Sequence, residues 1–209
     1  MLWANYNGFP THTVTILEGI QNKLPNAEVI YELGCNHASD FVIQDLGNYI
    51  TSSAGQGFAS EFFNNIEFEG EPVHKGSAVH LHYTTGGNTQ FAPNVNLTNF
   101  SARFTGVFEA PATEEIEFKL SGNDGFRLFI GEEKVIEVWG TSYGTERIYK
   151  LNAEKGKKYP LKIEYMQKIG SADLNFLVGV RQPVNCQATA AKVKDADVIV
   201  YVGGISPRL

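Results

Sequence analysis

Between Phe100 and Gly131 apolar and polar residues alternate in three successive runs. Phe100, Ala102, Phe104 and Phe108 alternate with Ser101, Arg103, Thr105 and Glu109. Ile116, Phe118 and Leu120 alternate with Glu115, Glu117 and Lys119, and Phe126, Leu128 and Ile130 alternate with Gly125, Arg127 and Phe129. A period of two puts one face of each strand in a core and the other toward water or a second layer. Ala110-Pro111-Ala112-Thr113 and Gly122-Asn123-Asp124-Gly125 separate the runs with turn-forming residues. The pattern predicts an antiparallel β meander at the centre of a sandwich or barrel.

Alternation continues in Phe58–Phe68, Val79–Tyr83, Lys134–Trp139, Arg147–Leu151, Tyr159–Met166 and Leu174–Val180. Short strands with turns at such intervals predict an all-β domain. Thr85 to Asn99 reads as a polar loop, and Asp40 to Gly57 fits either a short helix or an extended lead-in. The two ends follow another period. Val14, Leu17, Ile20 and Leu24 recur at helical spacing after Thr11 or Thr13 as a cap, closed by Pro25. Glu28 to Gly34 then reads as a buried strand. Residues 187–195 predict a short helix, and Ala196 to Gly204 a strand apolar throughout, as central parallel strands are. More than a hundred residues separate these two apparent strands, far beyond the roughly 12–15 of an ordinary loop. The expectation is a mainly β chain: an antiparallel sandwich or barrel inserted at 41–183, flanked by two αβ fragments of an α/β sandwich domain at 1–40 and 184–209. The excursion leaves at the C-terminal rim of the α/β strands, where ligands bind in open sheets.

A chain of 209 residues with 43% hydrophobic and 19% charged residues has an ordinary globular balance. The net charge of −6 and the absence of a Lys/Arg-rich run argue against nucleic acid as a partner. No apolar run approaches the roughly 20 residues of a membrane span, so no membrane partner is expected. The opening MLWANYNGFPTH lacks the basic start and apolar stretch of a secretory leader. Cys35 and Cys186 are too few for a disulfide framework.

Gly57-Phe58-Ala59-Ser60-Glu61-Phe62-Phe63-Asn64-Asn65, Gly70-Glu71-Pro72-Val73, Phe104-Thr105-Gly106, Leu120 through Gly131 and Pro160-Leu161-Lys162-Ile163-Glu164-Tyr165 resemble, in order, the protective-antigen-type (PA-fourteen) β-sandwich domain. The flanks, Asn5-Tyr6-Asn7-Gly8, Val14 through Ile20 and Ala196 through Gly204, resemble the C-terminal α/β sandwich domain of family three glycoside hydrolases, which accepts this insert. The resemblance implies a β-glucosidase-like retaining parent enzyme, with an oligosaccharide or glycoside substrate and the rest of the parent hydrolase chain as partners. It suggests a periplasmic or extracellular location. Retaining chemistry needs two carboxyl groups about 5–5.5 Å apart. The family's nucleophile lies on a barrel domain that nothing here resembles. Its acid/base glutamate follows the strand ending in Gly203-Gly204, and Ile205 to Leu209 stops before it. Residues 1–209 are therefore expected to hold no catalytic residue and to hydrolyse nothing alone. The insert would border the active-site pocket, a wall that admits a short substrate and clashes with a longer or branched one. The alternatives are a stand-alone lectin-like carbohydrate-binding module, with or without calcium, and an insert that serves as a dimerisation surface.

Trp139 and Tyr143 are the candidate substrate-binding residues, because aromatic faces with a polar handle suit a half-wet sugar site. The competing reading packs Trp139 in the sandwich and leaves Tyr143 as loop decoration. Asn123-Asp124 occupies the turn where the family's adhesins carry two calcium-binding aspartates. Asn removes one hard anionic ligand, and a locally satisfied turn is the plainer reading. His80 and His82, with His74 nearby, fall short of a placed zinc ligand set and read as a solvated strand face. Glu114, Glu115 and Glu117 read the same way. No cofactor or metal is expected. Asn96-Leu97-Thr98 and Asn99-Phe100-Ser101 fit the glycosylation acceptor pattern.

Overall fold

The computed structural model describes residues 13–32 and 41–203. It divides into two compact units, 44–180 and the flanks 1–43 with 181–209. Thirteen strands follow in order among the described residues: β1 (Phe41–Asp45), β2 (Ile50–Ser52), β3 (Gly55–Gln56), β4 (Phe58–Phe63), β5 (His74–Ala78), β6 (His82–Thr84), β7 (Phe100–Glu109), β8 (Glu114–Gly122), β9 (Gly125–Ile130), β10 (Glu133–Val138), β11 (Thr145–Ala153), β12 (Lys158–Gln167) and β13 (Asp173–Pro183). The larger sheet runs β10-β9-β12-β7-β2-β3, with β4 on β7 and β5 on β4. The smaller runs β1-β13-β8-β11, with β6 on β13. The pairs whose register is resolved are antiparallel.

The three alternating runs are β7, β8 and β9, but they do not form a meander. β7 and β9 each pair with β12 in the larger sheet, while β8 lies in the smaller one between β13 and β11. The two turns are arches that carry the chain from layer to layer. Alternation fixes which face is buried and leaves the pairing partner open. Both layers aim aromatics inward: Phe108 meets Phe118 edge-on at 5.7 Å, and Phe58 meets Phe176 at 5.6 Å. Each fully buried Phe contributes about 1.5–3 kcal/mol by burial. The loop from Thr85 to Asn99 is less polar than it reads, because it seats Phe91, Ala92 and Val95 in this core.

Smaller corrections concern strand ends. Asp45 to Gln56 resolves into the end of β1, a 3₁₀ turn at Gly47–Tyr49, β2 and β3. β4 stops at Phe63, because Asn65 folds back on the next residues: its Oδ1 accepts from the N–H groups of Glu67 and Glu69 at 3.2 and 3.0 Å. The run Val79–Tyr83 spans the connection between β5 and β6. Ala78 closes the β5 pairing with Phe58, and β6 starts where His82 faces Asn175 of β13.

The outer face of the larger sheet carries one cross-strand row of alternating charge. Lys75 faces Glu61, Glu61 faces Arg103, Arg103 faces Glu164, Glu164 faces Arg127, and Arg127 faces Glu137. Glu164 sits deepest, 3.3 Å from Arg103 and 2.6 Å from Arg127. Burial by itself raises its carboxyl, and the hydrogen bond and charge of Arg127, with Lys162 and Arg103, hold it below its ordinary value. Opposite charges in facing positions favour this register, and a slip would break the ladder.

In the flanking unit, α1 (Ile16–Lys23) is capped by Thr15 rather than Thr11 or Thr13. Thr15 Oγ1 accepts from the Glu18 N–H at 3.0 Å, and Glu18 returns the bond in a capping box. Helix α2 (Cys186–Val193) is capped by Asn185, whose Oδ1 accepts from Ala188 N–H at 2.9 Å. Lys192 pairs with Glu32 at 2.9 Å. The two expected parallel strands are corrected. Residues 28–32 and 198–203 form no strand. Val198 to Val202 are 58–90% exposed, with Ile30 and Tyr31 also exposed. A central parallel strand needs paired neighbours and covered faces, and neither segment pairs with a strand among the described residues. Leu33, Gly34, Cys35 and Gly204 to Leu209 lie outside the described residues.

Candidate functional site

The Asn123-Asp124 arch between β8 and β9 ties two other loops to itself. Asp124 takes the left-handed conformation (φ 55), which a short polar side chain tolerates. Its carboxylate Oδ2 accepts from the N–H groups of Lys168 and Ile169 at 2.8 and 3.2 Å. Its backbone N–H donates to Ser142 O at 3.0 Å, and Ser142 Oγ donates back to Asp124 O at 2.6 Å. Asn123 Oδ1 accepts from Gly144 N–H at 2.6 Å, while Asn123 Nδ2 donates to Ser171 O at 3.0 Å. The backbone N–H of Asn123 donates to Asp173 O at 2.9 Å. Alongside, Thr85 Oγ1 accepts from Ala172 N–H at 2.7 Å. The turn thus supplies its side-chain oxygens to backbone donors of distant loops, rather than satisfying its own backbone locally as the plainer reading of the sequence has it. Tyr165, buried beneath, is pushed up by burial and by the charges of Asp124 and Asp173.

This hub holds the base of Tyr143 and leaves its ring free. Ser142 and Gly144, on either side, are both bonded to Asn123-Asp124, and Tyr143 is 91% exposed between them. Ile169, anchored by the same carboxylate, is a second exposed apolar tip. Nothing in the sequence singles it out, since its anchor lies 45 residues away.

Trp139 goes elsewhere. Val138 packs against the core and Trp139, next along the strand direction, points outward. The indole is 40% exposed, with the Arg127 guanidinium 4.0 Å from its ring and Phe68 stacked at 6.3 Å. It packs on the outer face of the larger sheet, not within the sandwich. The structure therefore puts Tyr143 at the loop hub and Trp139 on the charged sheet face.

The remaining candidates offer little chemistry. Glu117 is buried rather than solvated, and Lys150 bridges it to Glu115 at 3.4 and 2.7 Å. A shallow depression at Asp45, Gly47 and His80 presents a carboxylate already accepting from Gly47 N–H at 2.7 Å. Among the described residues no group of three or more His, Cys, Asp or Glu is placed to hold a metal ion. No described helix is long and apolar enough to cross a membrane. Cys186 is free and exposed.

Comparison with known proteins adds four findings. The sequence model of the PA14 domain matches residues 55–192. A xylan 1,4-beta-xylosidase of Xylanibacter ruminicola is 30% identical over all of this chain, which covers 24% of that protein. Anti-sigma-I factor RsgI3 of Acetivibrio thermocellus is 26% identical over 61% of the chain and 20% of its own length. Among solved structures, a beta-glucosidase from Kluyveromyces marxianus superposes with a TM-score of 0.57 at 20% identity, over 88% of this chain and 24% of that one. The chain spans about a quarter or less of the length of these relatives.

Proposed function

This chain belongs to the PA14 domain family, and on that premise we propose that it is part of a family three glycoside hydrolase. Residues 41–183 are the inserted domain, and 1–40 with 184–209 are pieces of the α/β domain that receives it. The insert stands beside the catalytic pocket, and the Tyr143 loop forms a wall that limits the length of the neutral oligosaccharide entering. One observation carries this reading: an almost fully exposed aromatic ring on a loop fixed at both neighbours by the Asn123-Asp124 arch. An aromatic face so held meets the apolar face of a sugar at little ordering cost. The similarity to the xylosidase along the whole chain supports the parent's class.

In this account the chain supplies shape and no catalytic carboxylate. A rigid tip admits a substrate that ends before it and clashes with one that extends further. The test is the full-length hydrolase with and without residues 41–183, compared on xylo- and cello-oligosaccharides of two to six units. The proposal expects the preference for short chains to relax. An unchanged ranking of kcat/KM overturns it. A second reading is an independent glycan-binding module; the similarity of 61% of the chain to an anti-sigma-I factor supports only its independence from a hydrolase parent, and names no ligand. That reading requires the isolated chain to bind oligosaccharide with a roughly micromolar Kd or better, whereas a wall needs no more than weak contact.

A further inference from the structure

The outer faces of the two sheets differ in what they leave available. On the larger sheet the central row is a ladder whose charges from Lys75 to Arg127 pair with one another, while Glu137 at its end pairs with Lys134. On the smaller sheet the row His82, Asn175, Ser121 and Glu146 runs across β6, β13, β8 and β11 in facing positions. It begins beside the loop hub, since Asp173, two residues before Asn175, accepts from Asn123 N–H. Its charged end is closed, with Lys119 2.7 Å from Glu146. Its other end is open, because His82 is exposed.

The chemistry of this row fixes the state of His82. The Asp173 carboxylate can only accept, and Asn175 Nδ2 donates to its Oδ1 at 2.6 Å. Asn175 therefore turns Oδ1 toward His82, and a carbonyl oxygen can only accept from Nδ1. In the neutral imidazole the proton therefore sits on Nδ1, and Nε2 carries the lone pair. Burial raises the Asp173 carboxyl above its ordinary value, with the bond from Asn175 acting against it.

We propose that His82 anchors a second glycan-contact strip along this row, separate from the Tyr143 tip. The strip rests on the proposed function only in taking the ligand to be a glycan. Nε2 and the Ser121 hydroxyl offer acceptors, and the Lys119–Glu146 pair leaves no net charge, so the matching ligand is neutral and brings hydroxyl donors. A neutral polyhydroxylated chain meets that requirement, and a uronate or phosphate does not. The row crosses three inter-strand gaps of about 4.8 Å, roughly 14 Å in all. That span suits an extended oligosaccharide rather than one sugar. Asn175 and Asp173 act as positioning residues through the tautomer.

The experiment is nitrogen-15 NMR of the histidines in the full 209-residue chain at about pH 8, where an ordinary imidazole is neutral. Xylotetraose and cellotetraose are titrated to ~10 mM, tenfold above a millimolar Kd. The proposal expects His82 Nε2 to be the unprotonated nitrogen and to shift in a saturable way with either sugar. His82→Ala should weaken binding about five- to tenfold, the loss of one hydrogen bond. Asn175→Ala should release the tautomer preference and weaken binding similarly. A proton on Nε2 overturns the proposal, as does an absence of shifts at His82. Shifts confined to the 140–144 and 168–172 loops overturn the strip while leaving the Tyr143 wall standing.

Discussion

Phe118 and Tyr143 are both aromatic, and the structure treats them in opposite ways. Phe118 lies between the layers against Phe108 and Phe176, without solvent exposure. Tyr143 touches water over nearly its whole surface, while the residues on either side are bonded to a buried polar arch. The core is held by apolar contact, which is strong and indifferent to direction. The loop end is held by hydrogen bonds, which are weaker in net terms and specific in geometry. The difference separates residues that keep the sandwich together from residues that it presents.

The largest effect tests the first half of the comparison. Phe118→Ala removes a ring from the interlayer core and should cost about 3–5 kcal/mol. Thermal unfolding of the chain should move down by on the order of 10 °C. A shift of only a degree or two would mean that the layers pack less closely than these contacts show.

A smaller loss is expected at the arch. Asp124→Ala deprives the Lys168 and Ile169 N–H groups of their acceptor and should cost about 1–3 kcal/mol in urea unfolding. Asp124→Asn keeps one acceptor oxygen and a side chain that tolerates the left-handed backbone, so it should retain most of the stability. Equal losses in the two variants would deny that the carboxylate oxygen organises the loops.

The sequence shows one side of this comparison more plainly than the other. The strand faces were legible, because Phe104, Phe108, Ile116, Phe118 and Leu120 alternate with polar residues and each buried side follows from parity. Pairing was not: β8 joins β13 and β11 through contacts far along the chain, so the three runs read as a meander. Val138 packing inward made Trp139 outward-facing by the same parity, but its seat on Arg127 and Phe68 depends on a loop fold that the pattern does not encode. The Asn123-Asp124 turn was visible as a turn, and its bonds to 142–144 and 168–171 were not. Val198 to Val202 show the converse: an apolar run reports what a segment can bury, and says nothing of whether partners are present. The order of the PA14 motifs was readable because it lies in consecutive residues.

The smallest effect on stability carries the largest consequence for function. On the proposed function, Tyr143→Ala made in the full-length parent protein should leave unfolding within about 0.5 kcal/mol of the unsubstituted protein. In the same protein the preference for two-unit over six-unit substrates in kcat/KM should fall by about tenfold, within the range of one lost pocket contact. A stable variant with altered chain-length preference is the predicted result. A variant that keeps its preference, or that loses stability like a core substitution, would contradict the division between a packed frame and a presented tip.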